Sequence, residues 1–127
     1  MTGALKTFLS SLDVRDIGAH RWQLLAPFTV NANGGRVTVP TGFVTDFASV
    51  PRLPFAFMLF AHIGHRGAVV HDYLYQTAEV PRLDADRIFR ELLEAEGVSE
   101  WRAAAMFLGV RAFGRKFYAA NLTRKKA

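Results

Sequence analysis

His71 and Asp72 stand side by side in the segment Ala68-Val-Val-His71-Asp72-Tyr-Leu-Tyr75, and these residue types can do acid–base or metal chemistry. An imidazole can act as a general base near neutral pH, and an adjacent carboxylate can hold a cation or polarise water. Tyr75, one helical turn later, can hydrogen-bond and orient a neighbouring carboxylate. At about 100° per residue, His71, Asp72 and Tyr75 fall in one sector of a helix, with Val70 and Leu74 beside them. The same spacing also suits a plain helix with one partly buried histidine and an exposed aspartate. Asp86 lies beyond a turn around Pro81, near the start of the following helix. There it can face His71, accept a hydrogen bond from the imidazole and fix its tautomer, as a triad carboxylate does. Alternatively, Asp84 and Asp86 simply favour a helix N-terminus, where the dipole welcomes negative charge.

A further candidate segment is Gly42-Phe-Val-Thr-Asp46-Phe-Ala-Ser49-Val-Pro51-Arg52. It joins two differently patterned halves of the chain, a place where loop residues can build a site. Asp46 can join Asp72 in holding a hard cation, or it can cap a turn or short helix. Ser49 with His71 and Asp86 would make a serine-nucleophile set, but no GxSxG elbow surrounds it, and filling a first helical turn is its simpler role. His62 and His65 are three apart, yet Gly64 between them argues against an ordered metal pair, so they read as loop residues near the mouth of the site. The run Phe55-Ala-Phe-Met-Leu-Phe60 is too apolar for an exposed loop and suits a core or a partner interface.

The elements that must position these residues divide into a β half and an α half. Trp22 to Val30 is rich in strand formers, Asn33-Gly34-Gly35 signals a reversal, and Arg36-Val-Thr-Val39 alternates polar and apolar residues. Pro40 marks an edge or a strand end, and Gly42 to Asp46 resumes an extended chain. Residues 5–17 can add a short strand. Three helices follow. The first runs from about Arg66 to Thr77. The second starts with Asp84 as N-cap, carries Ile88, Phe89 and Leu92 on one stripe and stops at Gly97. The third starts with Ser99 as N-cap and continues through Trp101, Ala105, Leu108 and Ala112 towards Tyr118. Strands followed by helices predict an α+β domain, with an N-terminal antiparallel hairpin or small sheet before about three helices.

Length and composition bound the function. A chain of 127 residues and 14.2 kDa, half of it hydrophobic, is one domain with a core of its own. Residues 119–127 read as a basic tail on that single domain 1–127. The absence of cysteine excludes a disulfide framework, a thiol nucleophile and cysteine-ligated metal. The formal charge of +5 is unevenly spread. Residues 1–100 hold nine basic and eleven acidic residues, net −2, and residues 101–127 hold seven basic and no acidic ones, net +7. Arg111, Arg115 and Lys116 suit the polar face of the last helix, and Arg124, Lys125 and Lys126 suit a solvated tail. No zinc finger, KH loop or RNP motif accompanies them, which argues against nucleic acid and for docking on an acidic neighbour or anionic surface. No run approaches the roughly twenty apolar residues of a transmembrane helix, and the N-terminus lacks the pattern of a signal peptide.

Taken in order, GFVTDFASVPR, GAVVHDYLY, R-x-D-A-D-R-I-F and GVRAFG resemble an uncharacterised phage and prophage family, domain of unknown function family 1353. The resemblance spans roughly residues 20–118 and implies a virion or assembly context. The expected location is a phage tail, or the host cytoplasm during assembly, and the expected partners are other virion or tail proteins. More distantly, His71-Asp72-x-x-Tyr75 followed by Ala85-Asp86 resembles the core of the phospholipase A2 group, especially its viral capsid-borne members. That resemblance implies His71 as the base, Asp72 as a calcium ligand, Asp86 as the orienting carboxylate and Tyr75 in support, acting on an ester in lipid or cell envelope. It also implies a phospholipase A2-like helical half. The glycine-rich calcium loop of that group is not recognisable upstream of His71, so the TDFAS segment, through Asp46, would have to replace it. Two functions follow as expectations: a metal-assisted ester hydrolase carried by a tail or baseplate protein, or a structural tail component whose His71/Asp72/Tyr75/Asp86 network pins helices together without catalysis.

Overall fold

The computed structural model describes residues 6–19, 21–45 and 65–119. Asp46, Ser49, His62, the Phe55–Phe60 run and the basic residues Arg124, Lys125 and Lys126 lie outside the described residues. The element order is β1 (Val14–Gly18), β2 (Arg21–Leu24), β3 (Phe28–Ala32), β4 (Gly35–Val39), β5 (Val44–Thr45), α1 (His65–Thr77), α2 (Arg82–Ala95) and α3 (Glu100–Phe113). This is the α+β arrangement that the sequence predicts, an antiparallel β half followed by helices.

The stretch from Trp22 to Val30, which reads as continuous, is two strands in two sheets, because residues 25–27 with Pro27 interrupt the pairing. The first sheet has the order β1-β2-β5, with Val14 opposite Leu24 and Trp22 opposite Thr45. The second is the β3-β4 hairpin, in full register from Phe28↔Val39 to Ala32↔Gly35. Its turn places Asn33 and Gly34 at φ 54° and 75°, the paired left-handed conformations that an Asn-Gly turn accepts at little cost. Residues 7–9 add an edge to β3, through a bridge from Phe8 to Val30 and a 2.7 Å hydrogen bond from Asn31 N to Thr7 O. Strand β4 ends before Pro40, which has no N–H to continue a ladder.

Strand alternation decides what the sheets bury. Phe28, Val30 and Ala32 of β3 and Val39 of β4 point inward and pack against Val69, Val70 and Leu74 of α1 and Ile88 and Leu92 of α2. A second cluster joins Phe89 and Leu93 of α2 to Ala103, Met106 and Val110 of α3. Each fully buried large side chain contributes about 1.5–3 kcal/mol. Helix α2 therefore has two apolar neighbours, and α1 and α3 lie on either side of it.

The helix ends differ in detail from the sequence reading. Helix α2 starts after Pro81, and Asp84 sits in its first turn rather than at the N-cap, because proline's fixed φ already suits a helix start. It ends at Ala95, with Glu96 as C-cap and Gly97 following at φ 98°, as the glycine leads one to expect. Ser99 does precede α3, but its side chain makes no capping hydrogen bond. Helix α3 is interrupted at Gly114, and residues 115–119 form a separate helical turn. The inward face of α3 is Ala103, Met106, Gly109 and Val110, so Trp101 and Leu108 face outward.

Candidate functional site

Asp86 is the centre of the described site. Its position in the second turn of α2 points the carboxylate between α1 and α3, where it is fully buried. Helix α1 brings two donors to it, one turn apart. His71 Nε2 lies 2.7 Å from Asp86 Oδ1, and Tyr75 Oη donates to the same oxygen at 2.7 Å. From α3, Arg111 Nη1 donates to Oδ2 at 2.9 Å. Arg82, four residues before Asp86 on α2, brings its Nε to 3.9 Å from Oδ2 and donates from Nε to Tyr75 Oη at 3.2 Å.

The second arm of Arg82 ties the site to the end of α3. Its Nη2 donates to Val110 O at 2.9 Å and to Arg111 O. These carbonyls belong to the last turn, where Val110 O also accepts from Gly114 N at 2.8 Å, so the guanidinium adds a second donor to the end of the helix. Gly114 completes the closure. A Cβ there would lie 2.7 Å from Tyr75 Oη and 2.6 Å from Val110 O, so only glycine lets the chain pass this close to the tyrosine. The imidazole is sandwiched by rings, 4.2 Å from the Tyr75 centroid and 4.6 Å from that of Phe89.

The electrostatics follow from this inventory. Burial alone works against a charge on Asp86, but the hydrogen bond and charge of His71, with the hydrogen bonds from Tyr75 and Arg111, outweigh it. They hold the carboxyl below its ordinary range. An ionised Asp86 can only accept, so His71 donates from Nε2, and in the neutral form of the ring Nδ1 is then the nitrogen that carries the lone pair. Burial first, then the hydrogen bond to Asp86, raises the Tyr75 hydroxyl well above its usual value, and it stays a donor.

The structure thus brings together three of the sequence candidates, His71, Tyr75 and Asp86. Asp72 is buried, 7% exposed, and accepts a hydrogen bond from Gln76 Nε2 at 3.1 Å. Asp46, its candidate partner for a cation, lies outside the described residues. Among the described residues no group of three or more histidines and carboxylates is arranged to hold a metal ion. Arg111 is where the charge pattern misleads. It reads as a solvated cation on a polar helix face, yet it binds a buried carboxylate. The i,i+4 spacing of Arg82 and Asp86 is a signal the sequence does carry. Both arginines and Gly114 sit inside the R-x-D-A-D-R-I-F and GVRAFG motifs.

Another buried carboxylate escaped sequence reasoning. Glu96, at the C-cap of α2, accepts from Arg66 N at 2.9 Å and Gly67 N at 3.0 Å, and so caps the N-terminus of α1. Burial raises its pKa, against the opposing pull of those amides and of the Arg66 charge.

A family model described as "Protein of unknown function (DUF1353)" matches residues 22–110, which include His71, Asp72, Tyr75 and Asp86. The chain belongs to this family. Its DUF1353 match ends one residue before Arg111. The chain is also 33% identical over 84 residues to the uncharacterized protein y4jT of Sinorhizobium fredii (strain NBRC 101917 / NGR234). That similarity covers 65% of this chain and 25% of y4jT, so the chain spans about a quarter of that relative's length. No solved structure matches the chain. Among the described residues no helix is long and apolar enough to cross a membrane.

Proposed function

We propose that this DUF1353 domain is a histidine-based ester hydrolase of the phospholipase A2-like type, carried by a phage tail or virion protein and acting on lipid or cell envelope. The observation that carries the reading is the 2.7 Å contact between His71 Nε2 and a buried, ionised Asp86. That contact orients the ring and leaves Nδ1 as the basic nitrogen. In the reaction, Nδ1 takes a proton from water while the water oxygen bonds to the ester carbonyl carbon. The C–O bond to the alcohol then breaks, and the proton on Nδ1 passes to the departing alkoxide. Asp86 stays ionised and stabilises the imidazolium, and Tyr75 and Arg111 hold Asp86 in place. Calcium is the cofactor this reading names: Asp72 and Asp46 would hold it, and it would polarise the ester carbonyl.

The test is hydrolysis of dispersed phospholipid and of a soluble ester by the purified chain, with calcium and with chelator. Wild type is expected to turn over, and His71→Gln to lose about 10²-fold or more of that rate with its circular dichroism unchanged. Asp72→Asn is expected to abolish the calcium dependence. Absence of turnover in wild type on both substrates, with calcium present, overturns the reading.

A specific observation favours the structural alternative. Arg111 ties α3 to Asp86, and Arg82 beside that carboxylate clasps the end of α3, which is what a network that only pins helices requires. On that reading the domain is a non-catalytic tail or assembly component. His71→Gln then lowers stability and changes no rate.

A further inference from the structure

Helix α3 carries apolar residues on two opposite sides, and only one side has a partner among the described residues. Ala103, Met106 and Val110 face α2. On the other side, Trp101, Leu108 and Ala112 fall within about 40° of one another at the helical repeat, while Ala105 packs against the core. Trp101 is 66% exposed and Leu108 63%. Two large residues seven apart form the seam of a helix that packs along a second helix.

Charge selects the occupant. With Arg111 engaged by Asp86, residues 100–119 still carry three further basic side chains, Arg102, Arg115 and Lys116, against Glu100 alone. A second copy would set the same positive surface against itself, at a cost in like-charge repulsion. A flat anionic bilayer fits poorly, because the seam is narrower than the apolar face of an interfacial helix. A helix with an apolar stripe and acidic flanks meets both demands: its stripe covers Trp101 and Leu108, and its carboxylates meet Arg102, Arg115 and Lys116. We infer that the outer face of α3 is the docking site for an acidic amphipathic helix of a partner protein. The surface shares no function with the His71–Asp86 pair and stands whether or not that pair hydrolyses esters.

The probes are three labelled helical peptides of about three heptads, sharing one leucine seam and flanked by Glu, Gln or Lys. They are titrated against the full chain by fluorescence anisotropy. The Glu-flanked peptide is expected to bind saturably. The Lys-flanked one should bind at least about tenfold more weakly, and the Glu-flanked affinity should fall with added salt. Leu108→Glu and Trp101→Ala, both at exposed positions, should each cost about tenfold or more with unchanged circular dichroism, while Ile17→Glu on β1 should leave binding intact. Equal binding of the Glu and Lys peptides, no binding of either, or indifference to Leu108→Glu overturns the proposal. Tighter, Leu108-dependent binding to phosphatidylglycerol vesicles would make the face a membrane surface instead. A concentration-dependent dimer abolished by Leu108→Glu would make it a self-association surface.

Discussion

Helix α2 carries two carboxylates removed from water, Asp86 near its start and Glu96 at its end, and the fold treats them in opposite ways. Burial disfavours charge on both. Asp86 meets four side chains, two of them guanidinium groups, and its pKa falls. Glu96 meets two backbone amides and one half-exposed arginine at 3.8 Å, and its pKa rises. Backbone dipoles at a helix start can satisfy a carboxylate's geometry without compensating its lost hydration. Only a set of strong, convergent donors does both. The fold has concentrated such donors at Asp86, and that concentration marks it as the site while Glu96 serves as a cap.

The largest expected effect tests this contrast directly. Asp86→Asn keeps the shape but removes the charge that His71, Arg82 and Arg111 share, and it leaves two partly buried guanidinium groups without their counter-ion. The expected loss is about 3–5 kcal/mol, read from urea unfolding. A loss below about 1 kcal/mol would mean that the arginines do not depend on Asp86, and the contrast with Glu96 would collapse.

Gly114→Ala presses on the same site from α3. The new methyl group would meet Tyr75 Oη and Val110 O well inside contact distance, so either the tyrosine leaves Asp86 or the chain after α3 shifts. The expected destabilisation is about 1–3 kcal/mol. Combining it with Tyr75→Phe in a double-mutant cycle should give a non-additive result, since the clash involves the deleted hydroxyl. Additivity would place the strain entirely at Val110.

Local spacing made half of this site legible. His71 and Tyr75 share a helix face because they are one turn apart, and Asp86 could be set opposite them because Pro81 forces a turn between two short helices. The hairpin was legible for a similar reason, since Asn33-Gly34 can do little else. The contribution of α3 was not. Arg111 lies twenty-five residues from Asp86, and on a helical wheel it is one more surface cation. Nor was the outward facing of Trp101 and Leu108 legible, because hydrophobicity indicates a need for cover without saying which neighbour provides it. Glu96 was hidden for the same reason: it caps a helix thirty residues away in sequence. Long-range pairing decides these cases, and periodicity does not record it.

The smallest expected effect is at Glu96, and its pH dependence sharpens the comparison most. Glu96→Gln keeps the volume and one acceptor for the Arg66 and Gly67 amides, and it removes a charge that the fold disfavours. The two changes oppose each other, so the stability at neutral pH should move by no more than about 1 kcal/mol. The slopes should differ in sign. Because its folded pKa is raised, Glu96 contributes stability that is fully present below its unfolded value of 4.5 and is lost as pH rises through the folded value. Wild type should therefore gain on Glu96→Gln as pH falls from neutral towards 4.5. For Asp86, with a lowered pKa, the contribution is present above 3.8 and disappears as pH falls through the folded value, so the wild-type advantage over Asp86→Asn should hold at neutral pH and shrink only below about 3.8. Unfolding free energies of the three proteins, measured from pH 3 to 7, would show two difference curves of opposite slope in separate windows. If both curves sloped the same way, the two carboxylates would be doing one job, and the distinction between a site and a cap on α2 would be wrong.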